Sequence, residues 1–270
     1  MPEAVIIEAV RTPFCRRNGG LREFRPDSLL GYTLERLCER ARFMPDRLDD
    51  VIAGCVIQAG EQAANIGRLA VMLSGFPARV PAVTLNRMCG SSQQAVHFGA
   101  QSIAAGDSTY VIGCGVANMT RVPMFLDITL GDEYRGFERL NPTLFSRYEL
   151  IHQVESAERI AEKWRIGRPH WMTSRESHRR AHAAAISGCN KEIIVIRGVN
   201  AEGRAIEIAQ DEGIRASWDA AKTAALKPVV RASGHGAVTA ANLEATGGQF
   251  GLQVMCIGHG MATASILERV

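Results

Sequence analysis

The sequence predicts an α/β protein built in layers, and three observations carry that expectation. Short β-branched, apolar runs alternate with segments whose apolar residues recur at helical spacing. Clusters of Gly, Pro and Asn punctuate the joins between them. Over the first 116 residues four such strands alternate with three helices, the order in which neighbouring strands pair in parallel.

Taken in order, residues 5–10 (Val-Ile-Ile-Glu-Ala-Val) read as a short buried strand, closed by the breakers Thr12-Pro13 and Asn18-Gly19-Gly20. Asp27 is expected to N-cap a helix whose Leu29, Leu30, Leu34 and Leu37 share one face. Residues 51–57 form a second buried strand and residues 65–74 a second helix. Residues 80–85 are the third strand. A helix carrying Val96, Gly99, Ala100 and Ile103 follows, and residues 110–116 are the fourth strand. Gly113-Cys114-Gly115 opens like a dinucleotide-binding fingerprint but lacks its third glycine, so it is read as packing at a strand end.

Composition narrows the function classes. The 270 residues carry a net charge of only +3, with no basic run interleaved with aromatics, so nucleic-acid binding gains no support. Seven cysteines, an odd number without a Cys-x-x-Cys pair, argue against a disulfide framework and a structural zinc site, and point to a reducing compartment. The opening Met-Pro-Glu-Ala-Val lacks the basic start of a signal peptide, no apolar run approaches membrane-spanning length, and the closing Leu-Glu-Arg-Val matches no targeting or lipidation signal. A cytoplasmic protein with no membrane partner is the expectation.

Chemistry concentrates in residues 86–105. The strand ending at Leu85 gives way to Asn86-Arg87-Met88, and Cys89 stands directly before the helical pattern. A thiol there lies in the positive end of the helix dipole, near unpaired N–H groups that favour a thiolate. Cys89 therefore reads as a nucleophile, while spacing alone also allows a small buried hydrophobe.

Asn86-Arg87-Met88-Cys89-Gly90-Ser91-Ser92-Gln93-Gln94-Ala95 resembles the acyl-enzyme cysteine motif of the thiolases, which cleave or form 3-oxoacyl-CoA. Residues 5–13 resemble that family's opening strand, and Asn65-Ile66-Gly67-Arg68 its helix before the nucleophile strand. Gly113-Cys114-Gly115-Val116-Ala117-Asn118 is similar to the family's Gly-Gly-Val-Glu-Ser-Met-Ser, with Ala117 and Asn118 where Glu and Ser are usual.

The resemblance implies a thiolase-like layered α/β fold in three parts: residues 1–119 as the domain bearing the nucleophile, 120–242 as the loop domain that covers CoA, and 243–270 as a remnant of the C-terminal domain. Within the loop domain, helices are expected at residues 156–164 and 174–187. By resemblance His152 and Ala240 lie in segments that contact CoA. Arg165, Arg168, Arg175, Arg179 and Arg180 could meet its phosphates, though a solvated helix surface is favoured for each. His178 and His182 have the spacing of a two-histidine metal site, but no glutamate follows the first, so a solvated face is again favoured.

After Asn242 the family pattern breaks, as if an internal deletion had removed most of the C-terminal half. Resemblance resumes at residues 252–257 and 262–267, similar to the last two strands of the family, joined by Cys256-Ile257-Gly258-His259-Gly260. By position Cys256 would be the acid/base, and the N–H groups of Cys89 and Gly258 the oxyanion hole. Read without the resemblance, that segment is a tight turn. The family's Gly-His-Pro histidine and Asn-Glu-Ala-Phe-Ala asparagine have no counterpart; His259 is the nearest candidate by chain position.

The implied activity is an acyl-CoA C-acyltransferase, with coenzyme A as substrate, no cofactor, no metal, and a homodimer or homotetramer as its assembly. The rival expectation is a catalytically silent relative that binds or oligomerises, or a non-functional product.

Overall fold

The computed structural model describes residues 3–129, 140–151, 153–165, 172–215, 217, 250–257 and 261–268. Two compact units emerge: Met1–Arg139 with Glu192–Glu212 and Val254–Ala264, and Leu140–Lys191 with Gly213–Gln253 and Ser265–Val270. The stretch 192–212, which the sequence boundaries put in the loop domain, falls in the first unit.

Helix α1 (Pro26–Ala41) opens the first unit. Its N-cap is Arg25 rather than the expected Asp27, because Pro26, with φ preset and no N–H to satisfy, takes the first helical position. Asp27 lies one residue inside, where its carboxylate accepts the Ser28 N–H (2.8 Å) and is held by the Arg25 guanidinium (2.7 Å). Strand β1 (Asp50–Gly54), helix α2 (Ile66–Leu73), strand β2 (Ala82–Leu85), helix α3 (Ser91–Ala105) and strand β3 (Val111–Gly115) follow. The three strands pair in the order β2-β1-β3, both pairings parallel, as the alternation of strands and helices predicts. Parallel strands need both faces covered. Contacts of α3 with β1 and β3, and of α2 with β1 and β2, accompany this sheet, and α1 packs against α2.

The core of this unit is Leu30, Leu34, Val51, Ala53, Ala70, Val71, Val80 and their neighbours; Leu30 and Leu34 are 2% and 1% exposed. Each such leucine contributes roughly 1.5–3 kcal/mol of burial. The Asn-Ile-Gly-Arg stretch welds α2 to the start of β2. Asn65 N-caps α2 from the left-handed region (φ 57°), accepts the Thr84 hydroxyl (2.7 Å) and donates to the Ala82 carbonyl (2.9 Å). Arg68 donates to the carbonyls of Val80 and Ala78.

One expected strand does not form. Residues 5–10 make no strand, and Val5, Ile6 and Ile7 are 62%, 69% and 65% exposed. Hydrophobicity marks a strand, but a partner edge makes one, and this segment first pairs at Arg11, which bridges to Ile193. That bridge belongs to a small second layer in which the hairpin of β4 (Ile196–Val199) and β5 (Ala205–Ile208) packs Ile196 and Ile208 on Leu21 and Leu29. Asp211 and Glu212 then clasp the N-terminal segment. Asp211 takes the Arg11 guanidinium with both oxygens (2.7 and 3.0 Å), and Glu212 accepts the N–H groups of Arg16 and Gly20.

The second unit contains α5 (Pro142–Arg147), α6 (Gln153–Lys163) and α7 (Met172–Ile186), the last two matching the helices expected there; the short α4 (Leu126–Thr129) belongs to the first unit. Strands β6 (Phe250–Ile257) and β7 (Met261–Glu268) form a two-stranded sheet where two terminal strands are expected. Among the described residues no helix is long and apolar enough to cross a membrane.

Candidate active site

The site is a turn of five residues between β2 and α3. Asn86 sets it: its side chain accepts the Met88 N–H (2.8 Å) and donates to the Val56 carbonyl beyond β1 (2.9 Å). Met88 is forced into the left-handed region (φ 47°), which costs a non-glycine residue roughly 1–2 kcal/mol. The Gly90 and Ser91 N–H groups close the turn onto the carbonyls of Arg87 (3.1 Å) and Met88 (3.0 Å). These bonds, with that of Met88, engage N–H groups on either side of Cys89, and an isolated bridge pairs Arg87 with Cys89 itself. Gly90 is the N-cap of α3 and brings no side-chain cap, so no side chain closes the helix mouth from that position.

Cys89 is exposed, as a nucleophile requires. The buried reading, open on spacing alone, is excluded. Among the described cysteines the others are buried or half-buried. Burial pushes the thiols of Cys38 and Cys55 up to about 11 and that of Cys114 to about 12, while burial and the nearby Glu212 carboxylate take Cys15 to about 11. Such thiols stay protonated at neutral pH and are poor nucleophiles.

The mouth of α3 is seated on a glycine seam. A Cβ on Gly54 would overlap the backbone of Ser91 and Ser92, and one on Gly115 would overlap the Ser92 hydroxyl. A Cβ on Gly113 would come within 2.8 Å of the Val96 backbone. The Gly-Cys-Gly element is thus strand-end packing, as its incomplete fingerprint predicts.

A separate polar network centres on the buried Gln62 and Asn118. Gln62 donates to the Ile57 carbonyl (2.8 Å) and accepts the Asn118 N–H (2.9 Å). Asn118 donates to the carbonyls of Leu21 and Phe24 (3.1 and 2.9 Å). Glu61 binds the Arg121 guanidinium at two points and Arg25 at a third, and the Arg121 hydrogen bonds hold its carboxyl below the usual range. The sequence drew no attention to Gln62, showed Arg87, Ser91 and Gln94 only as members of the cysteine motif with no role of their own, and showed Asn118 only as a departure from the family pattern. A polar residue with a buried partner far along the chain leaves no periodic signal.

Of the other expected site residues, His152, Ala240, Gly258 and His259 lie outside the described residues. Cys256 falls in β6, and its side chain lies outside them too. Arg168 and the side chain of Arg175 are likewise outside. Arg165, Arg179 and Arg180 are exposed. The Nδ1 of His178 accepts the Arg215 N–H (3.4 Å), and among the described residues no cluster of three or more His, Cys, Asp or Glu is placed to hold a metal.

A chain with this turn on a parallel sheet has known relatives. The family described as "Thiolase, N-terminal domain" matches residues 4–246. The steroid 3-ketoacyl-CoA thiolase FadA6 of Mycobacterium tuberculosis is 40% identical over 239 residues, covering 85% of this chain and 56% of the relative. A beta-ketoadipyl-CoA thiolase of Acinetobacter baylyi is 37% identical over 254 residues, covering 90% of this chain and 63% of the relative. The crystal structure of the Bacillus anthracis acetyl-CoA acetyltransferase superposes with a TM-score of 0.72 at 30% identity, over 86% of this chain and 60% of that one. The chain belongs to the thiolase family. It spans 56% and 63% of the length of the two curated relatives named.

Proposed function

We propose that the chain is an acyl-CoA C-acyltransferase of the thiolase type, working through an acyl thioester on Cys89. The observation that carries this reading is the placement of Cys89: an exposed cysteine at the uncapped mouth of α3, within the stretch that matches the family. In the proposed reaction the Cys89 sulfur attacks the keto carbonyl of a 3-oxoacyl-CoA. The carbon–carbon bond breaks, the acetyl-CoA carbanion takes a proton from Cys256, and CoA thiol then accepts the acyl group from Cys89. The N–H groups of Cys89 and Gly258 would hold the oxyanion, and His152 and Ala240 would contact CoA, all four roles resting on the family resemblance. Coenzyme A is thus substrate, with no cofactor required. A cytoplasmic homo-oligomer acting in fatty-acid or related acyl-CoA metabolism is the setting that fits this reading.

A second reading is a catalytically silent relative. What favours it is the absence, from these 270 residues, of the Gly-His-Pro and Asn-Glu-Ala-Phe-Ala motifs. Loss of a general base commonly costs a factor of roughly 10²–10⁴. Thiolysis of acetoacetyl-CoA by purified protein separates the two. Turnover of roughly 1–10³ per second supports the enzyme, and a rate no higher than that of Cys89→Ala supports the silent relative.

A further inference from the structure

We propose that Ser91 is the positioning residue of the nucleophile, its hydroxyl holding closed the turn that presents Cys89. The proposal rests on Cys89 being the reactive thiol, and it assigns the role to a side chain that acts through the turn, on Arg87 and Met88.

The geometry is specific. The Ser91 Oγ accepts the Arg87 N–H at 2.9 Å and donates its own proton to the Met88 carbonyl at 2.6 Å. One hydroxyl therefore grips the two residues immediately before Cys89 with its donor and an acceptor lone pair together. A serine at a helix start ordinarily turns its hydroxyl forward to cap a later N–H. Here the N-cap is Gly90, and the serine one position inside the helix reaches backward across the turn instead.

Two features show why the turn needs a grip. Met88 sits at φ 47°, which methionine holds only when its surroundings impose it, and Ser91 engages its carbonyl twice, through Oγ and through the backbone N–H at 3.0 Å. Ser91 is 3% exposed, so water cannot readily take the place of the lost hydroxyl. The neighbouring grip is longer in reach: the Arg87 guanidinium donates to the buried Gln94 carboxamide oxygen (2.6 Å) one turn into α3. With the hydroxyl gone, the Arg87 N–H loses its acceptor and the Met88 carbonyl one of its two donors, so Met88 is free to relax from φ 47° and the turn no longer fixes Cys89 at the start of α3.

The test is the rate of Cys89 alkylation by iodoacetamide, followed by intact mass and peptide mapping on the full chain, with the melting temperature measured in parallel. Ser91→Ala should slow alkylation by a factor of roughly 2–5, the scale of a helix-terminus field, while Ser91→Thr, which keeps the hydroxyl, restores the parent rate. A merely stabilising serine would lower the melting temperature and leave the folded protein's alkylation rate unchanged, and that result overturns the proposal. Should Ser91→Ala not fold, hydrogen exchange of the Arg87 amide in the parent decides. Protection is expected from its bond to Oγ, and exchange at the rate of a free peptide overturns the proposal. No acyl-CoA enters the assay. A protein that alkylates as expected but accepts no acyl group sinks the proposed activity and leaves the role of Ser91 standing.

Discussion

At the scale of single residues, the presentation of Cys89 depends on atoms that are absent as much as on those present. The strand-end glycines leave room for the backbone of α3 to lie directly on the sheet, so the helix mouth stands at the carboxyl ends of β1, β2 and β3. Gly115→Ala would drive a methyl into the Ser92 hydroxyl and within 2.9 Å of the Gly54 carbonyl. It should cost roughly 1–3 kcal/mol and lower the melting temperature, whereas Gly213→Ala, which meets nothing within 4 Å, should leave it unchanged. Thermal denaturation of the two variants checks this. The placement of Cys89 between a strand and a helix was legible in the sequence, because a strand, a turn and a helix around a cysteine are local patterns. Ser91 and Gln94 were not, since a serine or glutamine near a helix start looks the same whether it faces solvent or grips a turn.

At the scale of elements, the α2–β2 junction explains a motif that resemblance had only flagged. Asn65 combines four tasks: capping Arg68, accepting from Thr84, donating to the Ala82 carbonyl, and tolerating a left-handed backbone. Asn65→Ala loses all four and should destabilise by about 1–2 kcal/mol. Asn65→Gly, which keeps the backbone tolerance, should cost less. The midpoints of urea unfolding, at unchanged m, rank the two variants. The parallel sheet followed directly from the order of strands and helices. The missing strand at residues 5–10 did not, because pairing depends on which edge the rest of the fold offers, and apolar content carries no information about that. Likewise nothing local announced that Asp211 and Glu212 would reach back to Arg11 and Gly20 from 200 and 192 residues away.

At the scale of the whole molecule, acid should loosen the first unit through its carboxylates. Burial works against the charge of Asp27, but the Arg25 and Ser28 hydrogen bonds outweigh it and hold this carboxyl below its ordinary value. Two backbone N–H groups, from Tyr110 and Thr109, do the same for Asp49, and Arg121 for Glu61. A carboxyl whose folded value is depressed adds stability above its unfolded value of roughly 4, and that stability drains away as pH falls from there through the folded value. The melting temperature should therefore stay level from pH 7 to about 5 and drop below about pH 4; a level profile down to about pH 3 would contradict this account. The family, and with it the layered fold, could be read from the Cys89 motif because that motif is contiguous. The roles given to Cys256 and Gly258 depend instead on chain far from Cys89. The most direct measurement of the central claim is the intact mass of the protein after incubation with acetoacetyl-CoA, for the parent and for Cys89→Ala. One acetyl group on the parent, mapped to Cys89 and absent from the variant, is the predicted result. Equal labelling of both proteins, or none on a folded parent with an alkylatable Cys89, would contradict it.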